Sequence, residues 1–470
     1  MVGGVRRGAL LLVAGLLSGC SVLLDVELPP APDVGHDVDL GVAADLGPAA
    51  RGFGERCAGD LDCVSQRCRD RRCSAVCSEA APCPAGSPTR CAEGVCRFST
   101  APPLAGPPKV GFLYVGPVGD HGWTLTHDLS RRFLEDGLPG LGSSYMPSVT
   151  TTAAPEAIQT LIADGCNVVV GASYDFLVPV LSAAANHPEV NFLICSGFQT
   201  APNLGSYFGR MYQVLWMAGK LAAHTSRSGR LGVVAPVPIP ETVRHINAFT
   251  RGARSVDPEA VVIVRWVHAW FDTVREPVAT QELVAAGADV ILSQTDTTIP
   301  LEVAADLTAP DGGPVYTIGY DNPDSCSMAP EACLTAAYWN WGPMLLGILQ
   351  QMVAGTWAPE TPIWEQLESN PDQSSVYLAP INKALVSSAI QVEVESYIPQ
   401  LAAPGVPGQQ LPFAPPVVDN RGVVRLAEGG FFTDEELLQM CWFVAGVVEE
   451  VPASGSPIPA VVPDGCVGQR

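Results

Sequence analysis

Two doubly wound parallel α/β lobes joined by a hinge, preceded by a small disulfide-rich module, are what this sequence predicts. Three observations carry that reading. From Lys109 onward, short β-rich runs alternate with helical stretches, the order that builds parallel sheets covered by helices. The runs themselves, such as those at 168–172 and 290–293, are almost continuously apolar, as strands are when both faces of their sheet are covered. Eight of them fall within about 230 residues, which two sheets accommodate better than one.

The whole-chain numbers agree with an exported protein. At roughly 150 residues per domain, 470 residues suggest about three compact units. Apolar residues make up 47%, which argues against wholesale disorder. The net charge of −22 argues against a nucleic-acid-binding surface, because phosphates need clustered Lys and Arg. After the N-terminus no apolar run reaches the about 18 residues of a membrane span. Fifteen cysteines point to an oxidising compartment.

Taken in order, the chain opens with Arg6 and Arg7, then an apolar stretch, Gly8 to Leu17, too short to cross a bilayer. Small residues and Cys20 follow, the pattern of a signal peptide. Leu17-Ser18-Gly19-Cys20 resembles a bacterial lipobox, whose cysteine is acylated, palmitate included, and becomes the new N-terminus. The alternative, ordinary cleavage near Gly19, leaves Cys20 as a spare thiol. Two or three acyl chains, at ~0.8 kcal/mol per buried methylene, make a firm anchor. A lipid-anchored place in the cell envelope is therefore expected, and Ser21 favours the outer membrane where the cell has one.

Residues 21–56 are rich in Pro, Ala, Asp and Gly and read as an acidic tether. Eight cysteines, Cys57, Cys63, Cys68, Cys73, Cys77, Cys83, Cys91 and Cys96, then fall in a segment (57–98) with almost no large apolar residues. Disulfides are expected in place of a core. A zinc site would want Cys-x2-Cys pairs, and none is present. The connectivity stays open.

The body is expected over 109–455, with a first lobe at about 109–224, a second at about 225–341, and a C-terminal region shared between them; 456–470 is a tail. Strands are predicted at 110–115, 168–172, 191–196, 231–235, 261–267, 290–293, 315–319 and 334–338. Leu125, Leu129 and Phe133, spaced i, i+4, i+8, mark a helix and its expected inner face. The helix Tyr212–His224, followed by Ser226-Arg227-Ser228-Gly229, is expected to cross between lobes. Cys326 and Cys333 lie seven apart in a Pro-containing loop, a separation that permits a disulfide. Cys441 and Cys466 are placed to pin the tail. Cys166 and Cys195 sit at opposite ends of predicted strands and are expected to be buried thiols. His121 and His127 lack metal-ligand spacing and are expected at the surface.

Ligands in such sheets bind beyond the carboxyl ends of strands. Those positions hold Asp120-His121-Gly122-Trp123, Ser173-Tyr174-Asp175, Trp270-Phe271-Asp272, Gln294-Thr295-Asp296, Tyr320-Asp321-Asn322 and Trp339-Asn340-Trp341. Aromatics and carboxylates recur at six strand ends. Two lobes facing each other with this lining form a cleft for a flat, hydroxyl-bearing ligand, with ring stacked on ring and carboxylates accepting from hydroxyls. The candidate ligand-binding residues are Asp120, Trp123, Tyr174, Trp270, Asp272, Asp296, Asp321, Trp339 and Asn340; no catalytic, metal-binding or cofactor-binding residue is singled out. Taken singly, a loop Asp is more often a turn or cap residue, and a single Trp is more often core.

Lys109-Val-Gly-Phe-Leu-Tyr-Val-Gly-Pro-Val-Gly-Asp-His-Gly-Trp123 resembles the opening strand and binding loop of the basic membrane protein (BMP) family, lipoprotein substrate-binding proteins of ABC transporters. Further similarity lies in Tyr207-Phe-Gly-Arg-Met-Tyr-Gln213, Pro238-Ile-Pro-Glu241, Ile246-Asn-Ala-Phe249, Trp270-Phe-Asp272, Gly287-Ala-Asp-Val290, Ile318-Gly-Tyr-Asp321, Tyr338-Trp-Asn-Trp341, Pro412-Phe413, Asp419-Asn-Arg-Gly422 and Trp442-Phe-Val-Ala-Gly446. The resemblance spans about 109–452 and implies the type I periplasmic-binding-protein fold, an ABC permease as partner and purine nucleosides as ligands. It places Trp123 and Trp270 where aromatic rings sandwich the base, Asp321 where a carboxylate holds the ribose, and Asp120 in the same first loop. The chain departs from the family at the first loop, where many relatives carry Asp-Lys-Ser-Phe-Asn, and near Trp339 and Asn340, where many carry a lysine.

A capture protein for a nucleoside or nucleobase-like solute is the leading expectation. A surface lipoprotein with a structural or interaction role is the alternative. An enzyme such as a nucleoside hydrolase is a further one, but its Asp residues would cluster on one loop around calcium, and here they are dispersed. No Gly-x-Ser-x-Gly elbow, His-Glu-x-x-His or Walker loop occurs.

Overall fold

A computed structural model describes residues 101–448, apart from 361 and 404–405, and the backbone of four short strands between 68 and 98. Those strands form two antiparallel hairpins, Cys68–Arg69 with Arg72–Cys73 and Thr89–Ala92 with Val95–Phe98. The expected lipid site at Cys20, the tether, the disulfide pairing of the eight-cysteine segment and the tail lie outside the described residues. Among the described residues no helix is long and apolar enough to cross a membrane.

The first parallel sheet is built around β1 (Lys109–Leu113), whose Val110, Phe112 and Leu113 are fully buried. β2 (Gly142–Met146) pairs on one side of it and β3 (Val168–Gly171) on the other. β4 (Asn191–Cys195) and β5 (Leu204–Gly209) follow outward. Three helices belong to this lobe: α1 (Trp123–Gly137), α2 (Ala154–Ala163) and α3 (Leu177–Asn186). The order 2-1-3-4-5 is doubly wound, and its switch point lies between β1 and β3.

α4 (Met211–Thr225) follows β5, yet it packs on α5 (Pro240–Arg254) of the second lobe. The two helices touch backbone to backbone at Gly219 and Gly252, where a Cβ would overlap the carbonyls of Phe249 and Trp216. α4 is buried nearly all round, as a helix enclosed on every side must be. It is the crossing helix that the sequence predicts.

The second sheet repeats the first. β6 (Arg230–Ala235) pairs with β7 (Val261–Trp266) and β8 (Val290–Ser293); β9 (Tyr316–Asp321) and β10 (Cys333–Trp339) extend it, all parallel. α6 (Arg275–Ala285) and α7 (Ile299–Ala305) cover one face. After β10 the chain crosses back: α8 (Trp341–Ala354) packs on α1. β11 (Ile363–Glu365) then joins the first sheet beside β5, and β12 (Val376–Leu378) returns to run antiparallel to β10. Three segments thus link the lobes, and each lobe carries a helix that grew out of the other. The C-terminal region ends on β13 (Val447–Val448) at the far edge of the second sheet, beside β7. Asn247 of α5 ties it down, donating from Nδ2 to the Trp442 carbonyl and accepting from the Val444 N–H.

All eight predicted runs are strands. Two expectations are corrected. α1 exists, but Leu129 and Phe133 are 46% and 43% exposed; its buried face is Trp123, Thr124, Thr126, His127, Asp128, Ser130 and Leu134. That face is largely polar, and α8 packs on it along with residues of the first sheet such as Tyr207. His127 is fully buried, its Nδ1 3.1 Å from the Trp123 carbonyl and its ring stacked 4.9 Å from Trp341. Burial there pushes its pKa down to about 3. Cys326 and Cys333 are disulfide-bonded, and Cys166 and Cys195 are buried free thiols, as expected. Cys441 is also disulfide-bonded.

Candidate functional site

The carboxyl ends of β1, β3 and β4 in one lobe and of β6, β7 and β8 in the other supply the lining of one cleft. Its central cavity is lined by Val115, Trp123, Ser173, Tyr174 and Ser196 on the first side and by Glu241, Trp270 and Asp296 on the second. An outer cavity shares Val115, Trp270 and Asp296 with it and adds Asp120. A third, towards the linking segment at Pro362–Trp364, shares Tyr174, Ser196 and Glu241.

Trp123 opens α1. Its Nε1 donates to the Ala172 carbonyl at 2.6 Å, and its ring meets Trp339 and Trp341 edge-on at 5.7 and 5.4 Å. One face of this residue is therefore core, and what remains forms the cavity wall. Trp339 and Trp341 stack on each other at 4.5 Å, so an aromatic cluster behind the cleft joins the lobes. Trp339 is buried in that cluster, and it lines none of the three cavities. Asn340 also stands outside them, donating from Nδ2 to the Pro371 carbonyl.

The four candidate carboxylates separate by what surrounds them. Asp120 accepts from the N–H groups of Gly122, Thr124 and Leu125, satisfying three donors at the start of α1. Asp272 accepts from Val274 and Arg275, while its own N–H donates to Glu276; it caps α6 and lines none of the three cavities. Asp296 is buried at the cleft wall, its N–H donating to the Trp270 carbonyl. Asp321 is fully buried; Oδ1 accepts from Trp339 Nε1 at 3.0 Å, and Oδ2 has no partner.

Burial, joined by neighbouring carboxylates, pushes Asp296 and Asp321 well above the usual carboxylate range. Asp321 and Asp120 are the charges that act most on Asp296, and Asp120 acts most on Asp321. Unpaired buried anions are costly, and hydrogen-bond donors supplied to them relieve that cost.

Sequence reasoning passed over Ser196, Glu241 and Arg244. Ser196 Oγ donates to Glu241 across the cleft at 2.5 Å, and burial raises the Glu241 carboxyl above its ordinary range. The signal was present: the ends of β4 and β6 are strand ends like the six that were read. A second cross-lobe bond runs from Asn322 Nδ2 to the His121 carbonyl. His121, Ser196 and Asp321 all have left-handed backbone, at φ +61°, +59° and +65°, strained conformations that the surrounding structure must hold and that cluster at ligand clamps.

Relatives agree with this architecture. A purine-binding protein of Brucella abortus is 32% identical over 346 residues, covering 73% of this chain and 94% of that protein. A solute-binding protein of an ABC transporter system from Conexibacter woesei superposes with a TM-score of 0.50 at 21% identity, over 64% of this chain and 99% of that one. A transcriptional activator from Bacillus halodurans superposes with a TM-score of 0.53 at 19% identity, over 63% and 99%. These superpositions show the fold, that of type I periplasmic binding proteins. Residues 108–400 match the Bmp family model, and the chain belongs to that family, the PnrA-like substrate-binding proteins of ABC transporters.

Proposed function

We propose that this protein captures a purine nucleoside or a related base outside the cytoplasmic membrane and hands it to an ABC permease, held to the envelope by lipid on Cys20. The observation that carries the ligand reading is the central cavity itself. Trp123 and Trp270 come from opposite lobes to one cavity; Asp321 lines none of the three cavities, but its charge acts on Asp296 in the wall and it keeps a buried oxygen with no partner. Two ring faces suit a planar base. A carboxylate with a spare oxygen suits ribose hydroxyls. The purine-binding relative from Brucella abortus supports the same ligand class.

Calorimetry with a nucleoside panel and the matching free bases tests this. Stacking on an aromatic is worth about 1–3 kcal/mol, so Trp270→Ala should weaken nucleoside and base alike by roughly 5- to 150-fold. Asp321→Ala should weaken the nucleoside by about 1.5–3 kcal/mol, the worth of a bond to a charged group, and leave the base nearly unchanged. No binding of any nucleoside or base would refute the ligand class. Equal losses for nucleoside and base in Asp321→Ala would refute that residue's role.

A further inference from the structure

Beyond Glu241 lies a further chamber of the cleft. Its walls are largely apolar, with Phe198, Phe208, Ile239, Pro240 and Ile363 among them. Tyr174, Ser196 and Glu241 line both this chamber and the central cavity, so the two adjoin. One turn further along α5, Arg244 stands in the chamber wall and is 1% exposed. Its Nη1 donates to the Leu437 carbonyl, and its guanidinium lies 5.0 Å from the centre of the Trp364 ring. Its Nε is buried with no acceptor. Among the residues lining the three cavities, Arg244 is the sole cation.

We propose that this chamber is a second subsite, taking an apolar arm carried by the nucleoside and ending in a hydrogen-bond acceptor such as a carboxylate. The inference rests on the nucleoside reading above. Apolar walls favour methylenes and rings over water. A guanidinium is the side chain best matched to a carboxylate, and an unpaired buried N–H is costly to leave unmade. Glu241 at the neck suits a donor on the same arm, an ammonium included.

The test is calorimetry of the full chain with adenosine, 5′-methylthioadenosine, N6-benzyladenosine and S-adenosylhomocysteine. The first is the bare nucleoside, the next two carry apolar arms at different positions, and the last carries an arm with a carboxylate. An apolar arm should raise affinity over adenosine by about fourfold per buried methylene. The carboxylate end should add about tenfold or more. Arg244→Met should remove that last increment. Because Arg244 also packs against Trp364, a second variant guards the test: Ile239→Trp fills the chamber and should bring the affinity ratio of armed ligand to adenosine towards one. If adenosine binds and neither arm position gains affinity, this inference fails and the proposed function stands. If the ratios survive both substitutions, the chamber is not the subsite. If no nucleoside binds, both fall.

Discussion

Gly122 sets how closely the lobes approach. A Cβ on it would overlap the Asp296 carbonyl of the opposite lobe. The demand there is for space between the lobes. Gly122→Ala should therefore leave each lobe intact and hold the two apart. Overpacking of this kind costs about 1–3 kcal/mol, so ligand affinity should fall roughly 5- to 150-fold with little change in the melting temperature of the unliganded protein. Wild-type affinity in that variant would show that the contact is not part of the bound state. The same loop shows how much of the site the sequence could reveal. Asp120, Asp272, Asp296 and Asp321 read alike, as carboxylates after strands. What separates them is the set of N–H groups that fold around each: three on Asp120, two on Asp272 and one indole on Asp321. That number depends on distant chain, Trp339 in the case of Asp321, and no local pattern encodes it. His127 misled for the same reason, since α8 arrives from far along the chain to bury it.

Helices and strands were legible to different degrees. Strands of the sheet interiors were found because burial on both faces leaves an unbroken apolar run. β2 and β5, Gly142-Ser-Ser-Tyr-Met146 and Leu204-Gly-Ser-Tyr-Phe-Gly209, contain too much Ser and Gly for that rule. They hold their places through ladder bonds to neighbours already fixed. α1 was placed correctly and turned wrongly, because apolar spacing assumes an apolar partner surface. α6 offers an element-scale test. At its start the Asp272 carboxylate accepts from the Val274 and Arg275 N–H groups, while the Asp272 N–H donates to the Glu276 carboxylate. Asp272→Ala should lower the melting temperature and leave the affinity for adenosine within twofold or so of wild type, because caps are worth a modest amount and this carboxylate faces helix N–H groups. A loss of binding as large as that expected for Trp270→Ala would instead return Asp272 to the ligand.

At the scale of the whole molecule, the body should be separable from what precedes it, but the cut matters. Asn191 Nδ2 donates to the Pro102 carbonyl, and Asn167 Nδ2 donates to those of Ala105 and Pro107. A chain starting at Ala101 should melt and bind like the full protein. One starting at Pro108 loses three bonds of about 0.5–1.5 kcal/mol each and should melt measurably lower; identical melting of the two would show that the leading segment contributes nothing. The cleft should also couple lobe closure to protons. With the lobes in contact through Ser196–Glu241 and Asn322–His121, burial raises Asp296, Asp321 and Glu241 above the ordinary carboxylate range. Opening hydrates all three and returns them towards that range. At a pH between the ordinary and the raised values, the closed form therefore binds more protons than the open one. Acid must then favour closure, and closure must weaken as pH rises from the ordinary carboxylate values through the raised ones. Asp164, Asp272 and Asp311 are held below the ordinary range, but by bonds to groups outside the cleft, so closure leaves them unchanged. Without ligand, the radius of gyration from small-angle scattering should shrink as pH falls from about 8 to about 5. Asp321→Asn, whose amide stays neutral, should flatten that trend. Saturating adenosine should hold the radius small throughout, because its hydroxyls supply the donors that the buried carboxylates lack. A radius independent of pH in the unliganded wild type, or a slope in Asp321→Asn equal to it, would mean that these carboxyls do not sense closure.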